Sequence, residues 1–173
     1  GIRTKQNPKT ELERANIPNL HALAKESVCG RIMPVSYGIT PGSGPAHFSL
    51  FGYNPADDNI QIGRGVLEAL GLDMKLQPGD VATLCNFATM DAKGLLTDRR
   101  AGRIPSEECE RLCAMLSAKI KKIDDVKVII KPGEQYRFVV VFRGKKLHGN
   151  ILDTDPQVTG AKPLKAVPQD KAS

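Results

Sequence analysis

Apolar positions recur at helical spacing only in short runs along the first third of the chain. "IPNLHALAKESVCG" sets Leu20, Leu23 and Ala24 on one face, with Pro18 in the first turn and Gly30 as terminator. Arg31 to Val35 reads as a short strand, followed by a Gly/Pro-rich loop from Gly38. "AHFSLFG" predicts a second helix stopped by Gly52, and "GVLEALG" a third stopped the same way at Gly71.

The middle of the chain alternates instead. "DVATLCNFATM", "DAKG" and "LLTDRR" read as strand, turn and strand, with Gly94 in the turn. "PSEECERLCAMLSAKIKK" carries the strongest helical pattern, with Ser106 as its cap. Glu107, Glu108 and Glu110 lie toward its positive end, and Lys119, Lys121 and Lys122 toward its negative one. Its apolar stripe is Cys109, Leu112, Cys113, Leu116 and Ile120. "VKVIIKPGEQYRFVVVFRG" predicts a hairpin turning at Pro132 and Gly133. A strand from Leu147 to Leu152 leads into "DTDPQVTG", and the tail from Ala161 offers little to pack. No internal repeat is present. The pattern predicts an α/β fold of α+β character, a mixed sheet built largely from hairpins with helices packed on it.

Composition narrows the function classes. The 173 residues are 40% hydrophobic and 25% charged, ordinary for a globular protein, and no apolar run is long enough for a transmembrane helix. The opening "GIRTKQNPKTELER" has no apolar segment of a secretory signal and no Met, which predicts a processed or partial chain. Cys29, Cys85, Cys109 and Cys113 follow neither a zinc-ribbon spacing nor a disulfide framework, so a reducing cytoplasm is expected. Cys109 and Cys113 read as small buried hydrophobes. The net charge of +6 invites nucleic acid, but the basic residues are dispersed, Trp is absent, and no recognised nucleic-acid module fits. Arginines concentrate only in "DRRAGR", Asp98 to Arg103, which suits a small anion better than a polymer.

Ser43, in "ITPGSGPAHFSLFGYNP", fits two roles. As an N-cap its hydroxyl would accept from first-turn amides, with Gly42 and Gly44 as turn residues. As a nucleophile it would exploit the same unpaired N–H groups and positive helix end to hold a phosphoryl group. A serine hydroxyl needs activation for that, and His47 is the only histidine nearby, better placed to orient the turn than to act as base.

Seven stretches in order along the chain carry a resemblance. They are "TELERANIPNLHALAKESVCG", "GITPGSGPAHFSLFGYNP", "IGRGVLEALG", "PGDVATLCNFATMD", "DRRAGRI", "KPGEQYRFVVVFRG" and "DTDPQVTGAKP". Together they make the chain resemble the archaeal-type 2,3-bisphosphoglycerate-independent phosphoglycerate mutases of the alkaline phosphatase superfamily. That resemblance implies an isomerase of lower glycolysis, interconverting 3-phosphoglycerate and 2-phosphoglycerate through a phosphoserine at the position of Ser43. It implies two divalent metal ions in the intact enzyme, manganese, magnesium or zinc. It also implies that arginines of an inserted cap domain hold phosphate and carboxylate. Arg99, Arg100 and Arg103 lie in the matching motif, Arg64 and Arg137 in two others, and Asn86 and Asp98 are candidates for the glycerate hydroxyls.

The chain departs from the family pattern at Gly44 and Pro45, where Asp-Thr is common, and at Tyr136 and Gln157, where His is common. No role is carried over to those side chains. With His21, His47 and His148 scattered and no paired Asp/His motif, no metal ligand is expected here besides Ser43, and no bound metal in this segment. The expected organisation is 1–62 as part of the phosphatase-like core, 63–158 as the inserted cap and 159–173 as a return linker. Alone, such a fragment is expected to be inactive, and Leu20, Leu23, Phe48 and Phe51, if exposed, would favour self-association. The competing reading is a standalone phosphate- or nucleotide-binding module centred on the arginine cluster. No membrane partner is expected.

Overall fold

The computed structural model describes residues 3–30, 32–56 and 63–168. Contacts divide the chain into two units, Gly1–Ile39 and Thr40–Ser173.

In the first unit, helix α1 (Glu11–Arg14) is a single turn closed by a capping box. Thr10 Oγ1 accepts from Glu13 N at 3.2 Å, and Glu13 Oε2 accepts from Thr10 N at 2.7 Å. Thr10 N–H and the paired Arg3 guanidinium lower the Glu13 carboxyl to about 2. Helix α2 (Pro18–Glu26) starts on Pro18 and stops before Gly30, at Ser27, where the backbone turns extended and Ser27 Oγ donates to Leu23 O at 2.6 Å. α2 buries none of its residues, and Leu20 and Leu23 are exposed. The strand expected from Arg31 to Val35 is not there: Arg31 lies outside the described residues and 32–35 form no ladder. A lone extended segment has no partner for its N–H and C=O groups.

The second unit begins with α3 (Ser43–Leu50) and α4 (Arg64–Gly71). Each ends with a left-handed residue and the same bond pair. After α3 it is Gly52, φ +85°, where Tyr53 N donates to Phe48 O and Gly52 N to Ser49 O. Phe48 and Tyr53 then meet edge to face at 6.1 Å, so Phe48 is half-buried rather than exposed; Phe51 is exposed. After α4 the left-handed residue is Asp73, φ 55°, two positions beyond the predicted stop at Gly71. Met74 N donates to Ala69 O there, and Met74 packs toward Ala69.

The four-stranded sheet runs β1 (Val81–Asn86), β6 (Arg137–Arg143), β5 (Val126–Pro132), β4 (Lys122–Ile123), with every paired neighbour antiparallel. The stretch "DVATLCNFATM" is therefore two strands. β1 crosses to β6, with Val81 opposite Phe142 and Asn86 opposite Arg137. Only β2 (Thr89–Met90) returns on β3 (Leu96–Asp98), around a turn in which Asp91 Oδ1 accepts from Lys93 N and Leu95 N and Gly94 takes φ +75°. One sheet face sets Val139 and Val141, at most 1% exposed, against Ala69 of α4, with Ala82 and Ile129 beside them. Burying each such valine contributes about 1.5–3 kcal/mol.

Helix α5 (Ser106–Lys119) packs on β5 and β6. Cys109 and Cys113 are its buried residues, while Ile120, predicted for the stripe, is exposed. Its cap is Pro105, not Ser106, whose hydroxyl instead accepts from Gln135 N at 3.1 Å. That bond secures the β5–β6 turn, which lies one step later than predicted: Pro132 still pairs with Phe138, and Gln135 takes φ 55°. Leu147–Leu152 makes no strand beyond a single bridge, Ile151 with Pro168. The tail also packs more than its composition suggests. Gly160 N donates to Leu96 O, Leu96 N to Ala161 O and Leu164 N to Thr154 O. Among the described residues no helix is long and apolar enough to cross a membrane.

Candidate functional site

Ser43 is the first residue of α3, and Gly42 is its cap, with extended dihedrals and no side-chain capping bond. The serine hydroxyl is therefore not used to close the helix. It is exposed at the end where first-turn N–H groups are unpaired. His47 sits one turn on, its Nδ1 2.6 Å from the Ser43 carbonyl oxygen. A carbonyl only accepts, so Nδ1 is the donor in this contact. Gly44, beside the serine, is buried, and a Cβ there would stand 3.3 Å from Leu67 of α4. α3 and α4 are thus in contact, and Arg64, exposed, opens α4.

The arginine motif folds as a left-handed turn. Ala101, Gly102 and Arg103 have φ of 46°, 63° and 55° in succession. Asp98 makes that possible. Its carboxylate accepts from Arg100 N at 2.7 Å and Gly102 N at 2.8 Å, and these two bonds hold its pKa below the usual carboxylate range. Asp98 is therefore engaged in shaping the loop.

The three guanidiniums of the motif part company. Arg99 makes a two-pronged pair with Asp155, Nε to Oδ1 at 2.7 Å and Nη2 to Oδ2 at 2.5 Å, and also reaches Gln157 Oε1. The Arg103 guanidinium carbon lies 5.9 Å from the centre of the Tyr136 ring, and that of Arg137 lies 5.6 Å from the same ring. Tyr136 is 4% exposed, its backbone oxygen accepting from Phe87 N at 2.8 Å, so it is a fixed platform for both cations. Asn86, directly opposite Arg137 in the ladder, projects from the same sheet face. Among the described residues no carboxylate pairs with Arg64, Arg100, Arg103 or Arg137. No hydrogen bond or ion pair joins Ser43 to the arginines among those residues either. The structure thus brings Arg103 and Arg137 to Tyr136, sets Asn86 across the ladder from Arg137, keeps Arg100 in the adjoining turn, and leaves Ser43 with Arg64 on the α3–α4 pair.

Sequence patterning missed Tyr136 as a platform and Asp155 as the partner of Arg99. The only signals were an aromatic next to Arg137 and the acidic "DTD" run far along the chain. Neither announces which cation it will meet.

A family model described as 2,3-bisphosphoglycerate-independent phosphoglycerate mutase matches residues 24–173. A probable 2,3-bisphosphoglycerate-independent phosphoglycerate mutase of Thermus thermophilus is 48% identical over 173 residues, covering 100% of this chain and 42% of the relative. Its counterpart in Thermotoga petrophila is 54% identical over 154 residues, covering 89% of this chain and 38% of the relative. A solved cofactor-independent phosphoglycerate mutase from Thermoplasma acidophilum matches with a TM-score of 0.58 and 38% identity. It covers 73% of this chain, which corresponds to 33% of that one. The chain thus spans about two fifths of the length of the curated relatives it matches. Serine segment, arginine turn and antiparallel sheet all fall inside the matched region, and the chain belongs to the 2,3-bisphosphoglycerate-independent phosphoglycerate mutase family.

Proposed function

We propose that this chain supplies the phosphoryl-accepting serine and the anion-binding arginines of an enzyme interconverting 3-phosphoglycerate and 2-phosphoglycerate. The observation that carries the reading is the Ser43 hydroxyl, placed at the first position of α3 with capping left to Gly42. In the forward step Ser43 Oγ bonds to phosphorus as the bond between phosphorus and the glycerate oxygen breaks. The serine proton passes to the departing glycerate oxygen. In the return step the other glycerate hydroxyl attacks the phosphoserine, the Oγ–phosphorus bond breaks, and Ser43 regains a proton. Unpaired amides at the α3 N-terminus face the phosphoryl oxygens in both steps. Arg103 and Arg137, held on Tyr136, bind the anionic groups of the substrate with Arg100 beside them. Asn86 donates to or accepts from a glycerate hydroxyl, and Arg64 takes up charge near Ser43.

The resemblance also implies two divalent ions, manganese, magnesium or zinc. Among the described residues no three His, Cys, Asp or Glu side chains lie close enough together to hold a metal ion, so these residues do not fit one. Ser43→Ala in the full-length protein tests the proposal. Turnover of 3-phosphoglycerate should fall by at least about a thousandfold. Stability should change by no more than about 0.5 kcal/mol, since no cap is lost. Normal turnover by the variant would remove Ser43 from the chemistry.

A further inference from the structure

Arg99 lies in the motif richest in arginine, yet its guanidinium already has partners. Asp155 takes both prongs, Gln157 takes a further donor, and the ion-paired side chains are only 25% and 24% exposed. The receiving segment is shaped for this. Asp155 Oδ1 also accepts from Gln157 N at 2.9 Å, Asp155 N donates to Asp153 Oδ1 at 2.9 Å, and Gln157 stands at φ 62°. On the other side, the turn that follows Arg99 holds three consecutive residues in the left-handed region, two of them with side chains. Such a turn is strained on its own and persists where its surroundings fix it. Asp98 ties it from within, and Arg99 ties it to a segment 56 residues away. A substrate anion could reach Arg99 only by displacing a carboxylate that matches the guanidinium fork.

We infer that Arg99, Asp155 and Gln157 form a latch that fixes the Asp98–Arg103 turn against residues 153–157. Arg99 is then a positioning residue, acting through Arg100 and Arg103. This rests on the phosphoglycerate reading above for the ligand those arginines bind.

Asp155→Asn separates a latch from a substrate ligand by sign. If Arg99 binds substrate, releasing it from Asp155 lowers KM or leaves it unchanged. If the pair is a latch, Asp155→Asn and Arg99→Ala each raise KM for 3-phosphoglycerate in the full-length enzyme by about tenfold or more, with kcat within about threefold. The exchanged pair, Arg99→Asp with Asp155→Arg, recovers most of that loss. Amide hydrogen exchange on the full-length enzyme supplies an arm independent of turnover: in either single variant, exchange at Gly102 and Arg103 speeds up by about tenfold. Absence of mutase turnover in the unaltered enzyme would defeat the functional reading, and the exchange arm would still decide the latch. Unchanged exchange in Asp155→Asn, or an unchanged or lower KM in that variant, overturns the latch.

Discussion

Replacing Gly65 by Ala should do far more damage than one methyl group suggests. Gly65 is the second residue of α4, and a Cβ there would stand 2.0 Å from the Ala82 carbonyl oxygen and 2.5 Å from its carbon. The same Cβ would stand 2.8 Å from Thr83 Cα. All three are backbone atoms of β1, which is laddered to β6 from Val81 to Asn86 and cannot swing aside. Non-bonded heavy atoms settle near 3.5 Å, so α4 would have to withdraw by about 1.5 Å. That withdrawal loosens Ala69 from Val139 and Val141, where a gap of about 1 Å already forfeits up to half of each contact's attraction. Overpacking of this kind costs about 3 kcal/mol, or about 6–12 °C in Tm for a chain of this size. Gly71, at the other end of the same helix, is the control. Nothing lies within 4 Å of a Cβ there, so Gly71→Ala should be neutral or stabilise by up to about 1 kcal/mol through helix propensity. Urea and thermal denaturation of the two variants beside the parent chain measure both. A Gly65→Ala midpoint within about 0.5 kcal/mol of the parent would refute the close seating of α4 on β1.

Asp80, its side chain 2% exposed, accepts from Arg143 Nε and Nη2 at 2.8 and 2.7 Å and from Gln77 N at 2.8 Å. The Arg143 hydrogen bonds lead in lowering its pKa, so its contribution is complete above the unfolded value of about 4 and fades as pH falls through the lower folded value. Asp80→Asn should therefore cost about 2–3 kcal/mol at neutral pH and progressively less below about pH 4. An equal penalty in urea titrations throughout the acid range would contradict the assignment. The thiols should also sort by environment. Burial pushes Cys85 up to about 11 and Cys113 up to about 12, Cys109 is buried, and Cys29 is exposed. A thiol-disulfide reagent at pH 8 should titrate Cys29 quickly and the other three only on unfolding. Rapid reaction of Cys109 or Cys113 in the folded chain would show α5 to be loosely docked.

Local chemistry made much of the fold readable. The helical stripe with Cys109 and Cys113, the Pro18 start, the Gly52 stop and the β5–β6 hairpin each depend on residues within a few positions of one another. Pairing between distant segments was not readable. "DVATLCNFATM" looks continuous because Phe87 and Ala88 carry no breaker. It is the β1–β6 ladder and the bond from Phe87 N to Tyr136 O that divide it. Ser106 has the composition of a cap and serves the neighbouring turn instead, because Gln135 N needs an acceptor there. The same limit governs the site. The arginine cluster could be located from its density, but only the folded chain shows Arg99 turned to Asp155 while Arg103 shares a tyrosine with Arg137. At Ser43 the folded chain removes one of two readings, the helix cap, because Gly42 takes that position.

The strand order β1-β6-β5-β4 also sets a timetable. β4, β5 and β6 join through tight turns, and α5 immediately precedes them, so these elements can organise from neighbouring residues within microseconds to milliseconds. β1 must wait, since its ladder with β6 closes a loop of about fifty to sixty residues. During synthesis it emerges first and stays unpaired until Arg143 has left the ribosome, an apolar edge exposed to other nascent chains. Asn86 and Arg137 meet only in that last closure, so the proposed anion site would be complete only at the end of folding.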